Sequence, residues 1–234
     1  MLQAEQGDTK KRLLEAAGEI FSEKGFKAAT VREICRSAKA NVAAVHYHFG
    51  DKAGLYKALL AEAFESGLRR YPTTMNLAPG AGCGERLFAY VHSFLLRMLG
   101  SGRTAWCGKL MARELHEPTE ALDHVVERYI VPLAEELRGI VAEALGNRAK
   151  AGDARTLACA MSVVGQCQYV FRSRAVIGRL APQVRFDEAG ILALARHITA
   201  FSLSALKNMP PEPEAMQRES GSRGASVGIA EGPA

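Results

Sequence analysis

Residues 30–52 read TVREICRSAKANVAAVHYHFGDK, and their spacing fits two short helices joined by a tight corner. Thr30 can cap the first, because its hydroxyl can accept from the free N–H groups two or three residues on. Val31, Ile34, Cys35 and Ala38 then fall on one helical face. Lys39 and Ala40 make the corner, and Asn41 is a strong cap for the second helix. There Val42, Val45 and Phe49 are expected to point inward, leaving Ala43, Ala44, His46, Tyr47 and His48 outward or on the flanks. Small side chains beside aromatic and imidazole groups make a helix that can enter a groove closely and hydrogen-bond there. The second helix of a helix-turn-helix enters the DNA major groove in this way. On spacing alone, a plain helical hairpin is the alternative.

The order T-V-R-E-I, then A-x-A-N-V-A-A-V-x-Y-H-F-G-D-K-x-x-L-Y, resembles the DNA-binding domain of TetR-family transcriptional regulators over roughly residues 9–65. The resemblance implies a DNA-contacting set of Thr30, Arg32, Asn41, Val42, Ala43, Ala44, His46, Tyr47, His48 and Lys52. Thr30, Arg32 and Lys52 would hold phosphates, and the outer face of the second helix would meet base edges and thymine methyl groups. One position departs from the family, which usually carries Gly where this chain has Lys39. The corner tends to need positive φ, which is unfavourable for a residue with a Cβ. Either Lys39 accepts that strain or the corner differs.

The chain has 234 residues and is 48% hydrophobic, enough for a sizeable core in one or two domains. No run of about 18 apolar residues is evident, so no membrane span is expected. The N-terminus is charged where a signal peptide needs an apolar stretch, so a cytoplasmic protein is expected. Cys35, Cys83, Cys107, Cys159 and Cys167 are scattered and show no CxxC, which fits reduced thiols. A thiol sensor on Cys159 and Cys167, eight residues apart, is the alternative. The net charge of +5 divides into +3 for residues 1–70, +4 for 71–208 and −2 for the tail. That mild positive bias suits a phosphate backbone.

The organisation read from periodicity is all-α, with nine helices in two domains. Residues 1–8 read as a disordered arm, and a first helix spans about Thr9 to Lys24, ended by Gly25. The helix-turn-helix follows, and Asp51 caps a fourth helix carrying Leu55, Tyr56, Leu59, Leu60, Phe64 and Leu68. The DNA-binding domain is 1–70. A Pro- and Gly-rich linker covers 71–84, a body for effector binding and dimerisation covers 85–208, and a disordered tail covers 209–234. In the body, helices are expected over about 85–99, 104–115, 118–145 with a kink at Pro132, 153–177 and 186–208.

The eighth and ninth helices are apolar on more than one face: Leu157, Met161, Val164, Tyr169 and Val176 cannot all lie on one side, and Ile191, Leu194, Ile198, Phe201 and Leu206 extend the pattern. Such helices are covered on two sides. A second copy of the chain, docked about a two-fold axis through helices 8 and 9, supplies one cover; a fully buried core helix in a monomer is the alternative. Polar residues set among apolar ones, Trp106, Arg113, Glu114, Tyr129, Gln166 and Tyr169, mark a candidate effector cavity, and Leu110 is counted with them as an apolar contact. Otherwise Arg113 pairs with Glu114 or Glu117, and Gln166 bonds across the dimer contact. The segments M-A-R-E-L-H-E-P-T-x-A-L, R-Y-I-V-P-L and V-V-G-Q-C-Q-Y resemble the C-terminal domain of the CecR-like branch of TetR regulators over roughly residues 84–200. That branch implies hydrophobic or aromatic effectors.

There is no P-loop, GxSxG or HExxH. His46 and His48 diverge on a helix, and His116, Asp123 and His124 share a face with surface exposure as the default. No cofactor, metal or catalytic residue is expected. The reading is a dimeric, ligand-responsive repressor on a palindromic operator in double-stranded DNA, with a small-molecule effector. The alternative is a small-molecule binding protein or enzyme that has lost DNA function, supported by the few donors at 43 and 44.

Overall fold

The computed structural model describes residues 2–100, 104–146 and 151–210, and side chains from residue 7 onward except those of 104, 105 and 107. The expected tail beyond residue 210 and the side chain of Cys107 lie outside it. The described residues are helical throughout, without strands. The helices are α1 (Leu2–Ala28), α2 (Val31–Ser37), α3 (Val42–Phe49), α4 (Lys52–Arg70), α5 (Cys83–Leu99), α6 (Thr104–Glu114), α7 (Ala121–Val125), α8 (Val131–Leu145), α9 (Ala154–Arg172), α10 (Arg174–Leu180) and α11 (Glu188–Lys207). A π-helical turn over Val126–Ile130 fuses α7 and α8 into one rod, so ten rods replace the expected nine.

The differences have local causes. The first helix begins at Leu2 rather than Thr9, and an Asp8–Arg12 ion pair at 3.0 Å, one turn apart, supports that early turn. Gly25, at φ 79°, breaks α1 where the sequence places its end. Pro118 lies outside the seventh helix, whose start is set by the Ala121 N–H donating to Thr119 Oγ1 at 3.2 Å. The expected irregularity at Pro132 takes the form of the π turn just before it. Proline offers no N–H to the carbonyl four residues back, so the ladder slips by one residue and the Val131 N–H reaches Val126 O. The eighth expected helix is interrupted at Ser173, whose carbonyl accepts from Val176 and Ile177 and opens α10.

Two cores hold the fold. One joins Leu13, Ala17, Phe21, Ile34, Val45 and Leu59 of α1–α4 to Leu110 and Met111 of α6 and to Val125 and Tyr129. Its aromatic centre is Tyr56, 4.8 Å from Phe21 and 5.0 Å from Phe26. The other packs α5, α8, α9 and α11 around Leu87, Val91, Leu95, Val141 and Ala195. α11 is long and apolar enough by length and composition to cross a membrane. It lies against α5 with Ile191, Ala195, Ile198 and Leu206 buried. The thiols of Cys35, Cys159 and Cys167 are free and buried. Burial raises all three, Cys167 to about 12, the opposite of a reactive thiolate.

Lys39 takes φ 50°, so it does occupy the left-handed corner. Arg12 holds that corner from α1: its Nη1 donates to Ala38 O at 3.0 Å and Lys39 O at 3.3 Å. Lys39→Gly relieves the Cβ clash and loses part of the gain to chain entropy. It is expected to stabilise by about 0.5 kcal/mol, a rise of about 1–2 °C in Tm by thermal melting. A fall in Tm would mean that the corner is not strained.

Candidate functional site

Three capping side chains set the angles between α2, α3 and α4. The Glu33 N–H donates to Thr30 Oγ1 at 3.2 Å, the Ala44 N–H to Asn41 Oδ1 at 2.8 Å, and the Gly54 N–H to Asp51 Oδ1 at 2.8 Å. Val45, fully buried, pins α3 to the head. The rest of α3 is turned to solvent, and Tyr47 is 72% exposed. Val42 is 39% exposed rather than inward. As the first residue after the Asn41 cap it stands at the mouth of the helix, ahead of the turn that Val45 buries.

Asn41, Val42, Ala43, His46 and Tyr47 thus share one uncovered surface, with Ala44 and His48 half-buried at its flanks. His46 Nδ1 lies 2.6 Å from Gly50 O. A carbonyl can only accept, so Nδ1 is the donor in this contact and Nε2 is the nitrogen left to face another partner. Of the expected phosphate ligands, Arg32 is exposed and makes no ion pair among the described residues. Thr30 spends one lone pair on its cap and keeps its hydroxyl proton. Lys52 is partly engaged: its ammonium donates to Lys27 O at 3.3 Å and sits 4.7 Å from the Phe26 ring centre, which leaves two protons for another acceptor.

In the body the structure separates the seven residues singled out for an effector. Trp106 lies on Gly18 of α1, where an added Cβ would come within 2.6 Å of the indole. Leu110 is buried in the head's core. Arg113 donates to the Ser22 carbonyl at 3.0 Å and to that of Glu23, satisfying the C-terminal end of α1 rather than pairing with Glu114 or Glu117. Glu114 is 0% exposed and accepts from the Tyr56 hydroxyl at 2.8 Å and the Thr119 N–H at 3.1 Å. Tyr129 stacks on Phe64 and donates to Glu65. Gln166 reaches Ser202 Oγ at 3.1 Å, and Tyr169 is exposed on α9.

Trp106 also lines a 310 Å³ space between α1 and α4, and none of the seven lines a second, more apolar cavity in the body. That cavity, 170 Å³, is walled by the other face of α6 (Gly108, Met111, Ala112 and Leu115) and by apolar side chains of α4, α5, α8 and α9. Arg97, Gln168 and Arg172 also line it, and sequence reasoning passed over them. Arg97 offered a signal, as a charge inside the apolar run Phe94, Leu95, Met98, Leu99. Among the described residues no group of three His, Cys, Asp or Glu side chains could hold a metal.

Comparison with known proteins follows this division. A family model described as bacterial regulatory proteins of the tetR family matches residues 13–59. A second, the C-terminal domain of the HTH-type transcriptional dual regulator CecR, matches residues 84–206. CecR of Shigella flexneri is 32% identical over 174 residues, covering 67% of this chain and 73% of that protein. The HTH-type regulators YttP of Bacillus subtilis and UidR of Escherichia coli are 34% and 37% identical. Their matches span 37% and 30% of this chain but only 42% and 36% of those proteins. Among solved structures, the fatty acid degradation regulator FadR from Bacillus halodurans superposes with a TM-score of 0.60 at 18% identity, over 82% of this chain and 97% of that one. The regulator PfmR from Thermus thermophilus gives 0.60 at 17% identity over the same shares. At such identities the likeness concerns fold alone.

Proposed function

The chain belongs to the TetR family of bacterial regulatory proteins, with a C-terminal domain of the CecR type, and from that premise we propose a dimeric repressor of a palindromic operator, released by a small hydrophobic or aromatic effector. It is a DNA-binding transcriptional regulator and not an enzyme. The enzyme alternative raised from the sparse donors at 43 and 44 therefore falls away.

The observation that carries the DNA reading is the uncovered outer face of α3. The Ala43 and Ala44 methyl groups suit thymine methyls, and His46 Nε2, an acceptor when the ring is neutral, suits the exocyclic amine of adenine or cytosine. Tyr47 offers both donor and acceptor. Arg32, Thr30 and Lys52 surround that face as phosphate ligands, giving register and salt dependence. A gel shift with DNA from upstream of the chain's own gene tests this. A salt-sensitive, sequence-dependent shift is expected, and its absence across promoter fragments would count against the reading.

Dimerisation is supported by an apolar surface that none of the described residues covers. Leu157, Met161 and Tyr169 on α9, Val176 and Leu180 on α10, and Phe201 on α11 are all exposed; α9 and α11 are the eighth and ninth helices of the sequence reading. Two heads set by this contact would add their binding energies on two half-sites. Phe201→Glu places a charge on that surface without touching the core. It is expected to convert the protein to 25.2 kDa monomers in sedimentation velocity and to weaken operator binding. A wild-type chain already sedimenting at that mass would defeat the dimer.

α6 is the element suited to couple effector to head. One face walls the cavity, while Trp106, Leu110, Arg113 and Glu114 on the other face grip α1 and α4. An occupant that displaces α6 carries both head helices with it and changes the spacing of the two reading helices. Acting on the genome, such a protein works in the cytoplasm.

A further inference from the structure

Among the described residues, two that are not glycine take positive φ: Asn76 at 61° and Lys39 at 50°. Asparagine visits that region readily, because its short polar side chain can bond locally. Lysine has no such compensation, and its Cβ crowds the following carbonyl. The corner between α2 and α3 does not need that side chain to keep its shape. The Lys39 N–H donates to Arg36 O at 3.3 Å and the Ala40 N–H to Cys35 O at 2.9 Å. The carbonyls of Ala38 and Lys39 accept from Arg12 at 3.0 and 3.3 Å. At residue 39 all of these bonds use backbone atoms, so a glycine would make them without the strain. What the lysine adds is an exposed ammonium, with no hydrogen bond or ion pair among the described residues. A strained residue kept where glycine would serve points to a function for its side chain.

Location narrows that function. Lys39 stands two residues ahead of Asn41, the cap at the mouth of α3. In a helix-turn-helix the reading helix meets base edges with its N-terminal residues, while the helix before it crosses the sugar-phosphate backbone. The corner joining the two therefore lies beside a DNA strand. Neighbouring lysines of the head are engaged within the chain: Lys24 pairs with Glu33, Lys27 with Glu117 at 3.4 Å, and Lys52 donates to Lys27 O. The Lys39 ammonium is a free point charge, the form in which lysine holds phosphate. We propose that Lys39 is a further phosphate ligand, one for each head, outside the set formed by Thr30, Arg32 and Lys52. The strain at the corner is then what this chain accepts in exchange for a cation at the strand. The proposal rests on the reading of α3 as the helix in the groove and adds a backbone contact to it.

Salt dependence tests the assignment. Each phosphate neutralised contributes about 0.9 to the slope of log affinity against log salt, so two heads without Lys39 lose about 1.8. Between about 50 and about 200 mM salt that narrows the advantage of the wild type about tenfold. The full chain is titrated by fluorescence anisotropy with a fragment from upstream of its own gene and with a scrambled fragment of equal length. Lys39→Gln keeps the Cβ and the strain but removes the charge, Lys39→Gly removes both, and Lys39→Arg keeps the charge. The Gln and Gly variants are expected to bind both fragments more weakly at low salt, with the lowered slope, and Arg to retain the wild-type slope. Preference for the chain's own fragment over the scrambled one is expected to stay unchanged, because a phosphate contact carries no sequence information. Thermal melts confirm that each variant is folded, and either neutral variant suffices should the other not be. An unchanged slope in the neutral variants overturns the assignment while leaving α3 in the groove. A lost preference at unchanged slope overturns it as well, since Lys39 would then act by setting the tilt of α3. A wild-type chain without salt-sensitive binding to either fragment removes the groove reading and the assignment with it.

Discussion

Ala43→Glu is expected to abolish operator binding while leaving the protein folded. Ala43 is the second residue of α3 and is exposed, with its methyl group on the outer face. Its shortness is what lets a helix backbone approach base edges. A glutamate there adds bulk between helix and groove and places a negative charge close to phosphates. Together these should weaken binding by about 10²-fold or more, since matched base contacts contribute about 1–3 kcal/mol each and phosphate repulsion adds to their loss. The fold should not suffer. An acid in the first turn of a helix interacts favourably with the helix dipole, by about 0.3–1 kcal/mol. Fluorescence anisotropy on an operator fragment, read beside a thermal melt, separates the two effects. Ala43→Ser should keep most of the affinity. Binding that survives Ala43→Glu would remove α3 from the groove.

The contrast between head and body shows what a one-dimensional pattern can carry. The helix-turn-helix is local: Thr30, Asn41 and Asp51 each cap an N–H three residues away, so its construction is written in adjacent letters. Val42 was misjudged because a repeat of three and four residues cannot tell the first turn, which stands beyond the core, from the turns behind it. The body is not local. Arg113 and Ser22 are 91 positions apart, and Tyr56 and Glu114 are 58 apart. Polar residues inside an apolar helix do signal partners. The sequence could not say that the partners of Trp106, Arg113 and Glu114 lie largely on α1 and α4. Both faces of α6 carry apolar residues, and only packing distinguishes the one that meets a cavity. The break at Ser173 carries no Gly or Pro, and the π turn before Pro132 is a geometric response that the sequence shows only as a proline.

Glu114→Ala should be among the most destabilising single changes in the chain, because it opens the joint between head and body. The Glu114 carboxylate is fully buried and accepts from three donors: the Tyr56 hydroxyl, the Thr119 hydroxyl and the Thr119 N–H. Burial and the adjacent Glu114 carboxylate both push the Tyr56 hydroxyl well above its ordinary range, so it stays a donor. Alanine leaves these donors unpaired beside a new void. With about 1–3 kcal/mol for each stranded group, and a cavity term added, a loss of about 3–4 kcal/mol is expected in chemical denaturation. Glu114→Gln keeps one acceptor oxygen at nearly constant volume and should lose only about 1 kcal/mol. Tyr56→Phe in the Glu114→Ala background should cost less than the sum of the two single changes, with a coupling of about 1 kcal/mol or more. Strict additivity would mean that Tyr56 and Glu114 do not act as a pair. Because α4 and α6 meet through this bond while α6 walls the cavity, Glu114→Gln should also weaken the effect of a bound effector on DNA affinity more than it weakens effector binding itself.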